Sequence, residues 1–233
     1  KNPDILKHEL KNISSEAVIR KTYNEEKDFK PSEGLAETFN SLSLNDNTPA
    51  DILEEMYEKL STDKRWNKVR PEYIEEEIIE NIVENPNVPP SFLVKVIDNA
   101  YKKILAGEKL SGIGINNIIK RAMKNSASDD SVAQKVIDIF LKSSDLIDKK
   151  GNVSGDVRDV KPLPFHLSNT FDIVDAISGF LQYANISPEM TSKLVKLGDK
   201  LTSHGSTKEL IDKKIDYWLG LAKSKHLDRK TID

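Results

Sequence analysis

The chain has 233 residues, 31% of them charged and 37% hydrophobic, with 10 Gly and 10 Pro; this describes a folded chain able to bury a core, not a low-complexity tail. It holds no cysteine, which excludes disulfides, thiolate metal sites and cysteine nucleophiles and fits a reducing compartment. The net charge of −3 conceals an asymmetry: residues 1–90 carry 12 Lys and Arg against 20 Asp and Glu, a net of −8, and the remainder carries 23 against 18, a net of +5. No apolar run approaches the roughly 20 residues of a membrane span, and no signal-peptide pattern opens the chain. The expectation is an intracellular protein, in the cytoplasm or an organellar matrix, with no membrane partner. Lys1 stands first and "HLDRKTID" starts a new helical pattern at the other end, so the sequence reads as a piece of something longer.

Residues 1–33 place Ile5, Leu6, Leu10, Ile13 and Val18 at mostly helical spacing and read as a preceding helix, pair or cap. From residue 34 the chain repeats. Shifted by 40 residues, Asn45, Asn85 and Asn125 coincide, each followed by a turn and an apolar-periodic segment. Leu53, Leu93 and Ala133 then share a column, as do Met56, Val96 and Val136, then Tyr57, Ile97 and Ile137, then Leu60, Ala100 and Phe140. These columns are spaced i, i+3, i+4, i+7, one face of a helix. Upstream, Leu42, Ile82 and Ala122 align, with Ile78 over Ile118 and Ile79 over Ile119, so each unit is two helices. A fourth unit follows at an offset of 58, where Met190, Leu194 and Val195 replace Val132, Val136 and Ile137; the extra length is a loop at 143–166, interrupted by Gly151, Gly155, Pro162 and Pro164.

The predicted architecture is all-α, a right-handed solenoid of antiparallel helix pairs with a period near 40 residues. Its units lie near 34–70, 71–110, 111–150, 166–205 and, truncated, 206–233. Leu93, Val96, Ile97, Val136, Ile137 and Leu194 are expected to be buried between them. The turn chemistry follows the same register. Thr48 before Pro49 is read as a cap for the next helix, with Asp51 and Glu54 at the positive end of its dipole. Ser187, Pro188 and Glu189 repeat the device, as do Ser128, Asp129 and Asp130; Pro89 and Pro90 open "PNVPPSFLVKV", and Ser206 with Glu209 spells a capping box.

Reactive chemistry finds little footing. His8, His166, His204 and His226 are scattered, and none has a partner at i+3 or i+4 that would place two ligands on one helical face. "PEYIEEEIIE" gathers Glu72, Glu75, Glu76, Glu77 and Glu80, but Ile74, Ile78 and Ile79 give that helix its inner face and leave the acids facing water. In "SGIGINNIIKR", Gly112 and Gly114 precede a helix, yet Asn117 stands where a third glycine belongs and no strand leads in. No G-x-S-x-G occurs. The expectation is therefore no enzyme, with no catalytic residue, cofactor or metal site. "KELIDKKIDYWLGLAKSK" interleaves lysines with Tyr217 and Trp218, the pattern of a base-stacking surface, although Ile211, Ile215, Trp218 and Ala222 also follow one helical face and read as core.

On these columns the chain resembles α-solenoids in general, in the size range of HEAT and armadillo units, over residues 34–233. "FDIVDAISGFLQYANISPEM" and "IDYWLGLAKSKHLDRKTID" also resemble, more weakly, the first helix and turn of pentatricopeptide repeats, a likeness that implies organellar RNA binding. The period of 40 and the negative net charge depart from that family. Two functions remain: a noncatalytic scaffold or adaptor gripping a protein partner through its helical groove, or a binder of single-stranded RNA. The surface that either partner would use is placed at Lys120, Arg121 and Lys124 together with Lys213, Lys214, Lys223 and Lys225.

Overall fold

A computed structural model describes residues 10–69, 73–105, 118, 121–143 and 170–202. Among these residues the chain is helical throughout, with turns between helices and no strand. It divides into two compact units, Lys1–Phe92 and Leu93–Asp233. The loop expected at 143–166 and the unit expected at 206–233 fall almost wholly outside the described residues.

In the first unit, α1 (Glu16–Glu26) buries Ile19 and Tyr23, one helical turn apart. In α2 (Glu33–Ser43) the Ser32 hydroxyl accepts from the Leu35 N–H at 3.2 Å, capping the helix, and Leu35, Ala36, Phe39 and Leu42 form the inner face. Rings join the elements: Tyr23 lies 5.9 Å from Phe39, and Phe39 lies 5.8 Å from Trp66 in a 3₁₀ turn at Lys64–Lys68. In α3 (Ala50–Thr62) the inner face is Ile52, Leu53, Met56, Tyr57 and Leu60, and Tyr57 meets Phe92 edge-on at 5.3 Å. The seam between α1 and α3 carries ion pairs. Arg20 reaches Asp51 at 2.6 Å and Lys27 reaches Glu55 at 3.3 Å. The two bonds from Arg20 hold the Asp51 carboxyl below its usual range.

The next segment departs from expectation. Ile74–Ile79 is a π-helical turn that runs into α4 (Glu80–Glu84). Glu77 is exposed as predicted, but Glu80 is only 2% exposed. A period of 3.6 places Glu80 opposite Ile82 on the same helix, and both are buried, so the helix is covered on more than one side here.

The turns explain why the asparagines recur. After α2, the Asn45 side-chain oxygen accepts from the Asn47 N–H at 2.8 Å, and its amide donates to the carbonyls of Leu10 at 2.8 Å and Ile13 at 2.9 Å. After α4, Asn85 Oδ1 likewise accepts from the Asn87 N–H at 3.1 Å. The Asn85 amide donates to the Ser43 and Asn45 carbonyls, each at 3.0 Å, and the Asn87 amide to those of Asp46 at 2.6 Å and Thr48 at 3.0 Å. Each turn is thus fastened to the one before it. Thr48 plays a different part from the one predicted. Its hydroxyl donates backward to the Leu42 carbonyl at 2.7 Å, closing the end of α2, and the N-cap position of α3 falls to Pro49, which has no side-chain bond to give. A helix end leaves carbonyls as well as amides unpaired, and the hydroxyl serves the carbonyl.

In the second unit the described elements are α5 (Pro90–Leu105), which begins in the first unit, the helical residues 121–124, α6 (Asp130–Ser143), α7 (Thr170–Tyr183) and α8 (Pro188–Thr202). Asn125 repeats the turn, accepting from the Ala127 N–H at 2.8 Å. Ser128 donates to the Ala122 carbonyl, as Thr48 does to Leu42, so the cap of α6 is Asp129, which accepts from the N–H groups of Ser131 and Val132. Ser187 caps α8 as expected, accepting from the Met190 N–H at 3.1 Å. α7 packs on α8 and α8 on α6. The starts of α6 and α8 are tied together: the Asn185 N–H donates to the Ser128 carbonyl at 2.7 Å and the Ser187 N–H to Asp130 at 2.7 Å.

Of the six residues expected to be buried, Leu93, Val96, Ile97 and Leu194 are, whereas Val136 and Ile137 are half-buried. In α6 the deepest packing is at Val132 and Ala133, beside the turn that Asn185 and Ser187 hold, and the following turn is less covered.

Two stability measurements follow. Ile97→Ala removes a fully buried side chain and should cost about 2–5 kcal/mol in chemical denaturation; a loss below about 0.5 kcal/mol would contradict its place in the core. Asn85→Asp sets a buried carboxylate against two carbonyls, so its folded-state pKa rises above the unfolded value of about 3.9. The penalty should therefore be smallest below that pH, where the single O–H of the acid replaces one of the two donated bonds, and grow as pH rises, reaching several kcal/mol near neutrality, on the order of 3. An equal loss at both ends of the pH range would show that the amide is not what fastens the turn.

Candidate functional site

Two surface features gather polar chemistry, one in each unit. In the first, the Asn40 amide donates to the Tyr73 hydroxyl at 2.9 Å, that hydroxyl donates to Glu37 at 3.2 Å, and the Asn81 amide donates to the Asn40 oxygen at 2.9 Å. The chain of bonds links α2 to the π turn and α4, and all its members are part-buried. Burial, with the Glu37 charge adding to it, pushes the Tyr73 phenol up to about 12. Glu37, Asn40, Tyr73 and Asn81 carry no helical periodicity of their own. The one sequence signal for them was the equivalence of the helices at 34–43 and 74–83, which places α2 beside the π turn. What the arrangement does chemically is hold two helices in register and keep the phenol protonated.

In the second unit, the predicted basic residues Arg121 and Lys124 lie one turn apart on the helix at 121–124, Arg121 half-buried and Lys124 exposed. Lys124 lies across α7. A Cβ added at Gly179 would stand 3.3 Å from Lys124 Cγ and 3.9 Å from its Cε, so the absence of a side chain at Gly179 makes room for the lysine stem. Tyr183, one turn beyond Gly179 on α7, is 50% exposed. The sequence reading missed both. Lys120, Lys213, Lys214, Lys223 and Lys225 lie outside the described residues, so the structure brings together only Arg121 and Lys124 of the predicted set.

Lys102 and Lys135 serve the fold: both pair with Asp98, joining α5 to α6 and holding that carboxyl below its usual range. Among the described residues no group of three or more His, Asp or Glu side chains is placed to hold a metal ion. Within the same residues no helix is long and apolar enough to cross a membrane. No family model, no curated protein and no solved structure matches this chain.

The polar chain predicts an alkaline titration. Subtracting the spectrum of Tyr73→Phe from wild type should isolate one phenolate transition near pH 12, and Glu37→Gln should move it down toward the ordinary value of about 10. Because the folded pKa is raised, this stabilising contribution is complete below about pH 10 and lost as pH climbs through 12. No movement with Glu37→Gln would remove the carboxylate as a cause.

Proposed function

We propose that the chain is a noncatalytic helical-repeat scaffold, a right-handed solenoid of helix pairs with a period near 40 residues, that binds a protein partner through its helical groove. The observation that carries this reading is the fastening of turn to turn. Asn85 and Asn87 bond the backbone of the turn 40 residues earlier, and Asn45 bonds the turn before that. Burial follows the same offsets: Leu53, Leu93, Ala133 and Thr191 occupy one column and are all at 0% exposure, and Leu42, Ile82, Ala122 and Phe180 occupy another at 0–1%. A chain whose units each contact the next builds an extended surface without a central cavity, the surface suited to a macromolecular partner. Single-stranded RNA is the second reading, favoured by the outward Lys124.

Solution scattering and binding test the two parts separately. A compact globule of 233 residues has a radius of gyration of about 17 Å; a solenoid should exceed this clearly, and a value at the compact limit would overturn the architecture. RNA binding should be weak and vanish as salt rises, because phosphate contacts lose affinity through counterion release. Tight, sequence-selective binding at physiological salt would replace the protein partner with RNA. It would have to be abolished by Glu at Lys120, Arg121, Lys124, Lys213, Lys214, Lys223 and Lys225, with helicity unchanged.

A further inference from the structure

We draw no further inference here: the strongest candidate, the acidic surface patch of α2 and the π turn with α4, where Glu33, Glu37, Glu77 and Glu84 stand on helices that carry no lysine or arginine, is a cluster of acidic residues alone, and nothing in the structure shows what covers it.

Discussion

The structure depends on a buried primary amide placed where a helix ends. About four carbonyls of that helix and about four N–H groups of the next are left without helical partners around such a turn, and a chain that buries them without replacement loses their hydration for nothing. Asparagine answers with both ends of one side chain. Its oxygen takes the N–H two residues on, folding the turn, and at Asn45 and Asn85 its nitrogen takes two carbonyls from the preceding turn. A glutamine would be a methylene too long for the local ring, and an aspartate would have no donor to offer the carbonyls.

Around that amide the other positions have freedom. Thr48 and Ser128 close the helix behind them with a hydroxyl, while Val88 in the same column is apolar and equally buried. Threonine and valine have nearly the same shape. Ser128 is smaller than either, so the column asks for a buried side chain of modest size, and a hydroxyl there adds a bond to the preceding helix. The seams between helices vary in the same manner: α1 and α3 are joined by Arg20, Lys27 and their acids, and α5 and α6 by Lys135 and Asp98.

The helical faces were readable because a 3.6-residue period is a one-dimensional signal, and repetition multiplied it: the columns through Leu53 and Leu42 could be drawn before any coordinate was known. The polar roles were not, for three separate reasons. A hydroxyl before a proline has two helix ends to choose between, and the letters Thr48-Pro49 do not say which. Glu80 lies opposite Ile82 on a helix that is covered on both sides, and a periodicity that marks one inner face cannot show that the other face is covered too. Tyr183 stands at the offset of 58 from Asn125, and an aromatic residue at the end of an apolar helix reads as core although half of it faces water.

The division of labour between apolar and polar groups accounts for the fixed register. Burial of Leu, Ile and Val is non-directional, and two apolar helical faces that slide past each other by one turn, about 5.4 Å, still cover much of the same area. An amide bonded at 2.8–3.0 Å does not survive such a slide, and the lost bonds are buried on both sides, so the slipped state carries unsatisfied donors and acceptors together. Apolar columns thus supply most of the free energy of packing, and the asparagines decide which of the near-equivalent packings is the native one. Where Tyr183 replaces the asparagine, two backbone N–H groups take over that decision, and the side chain is released to face the solvent.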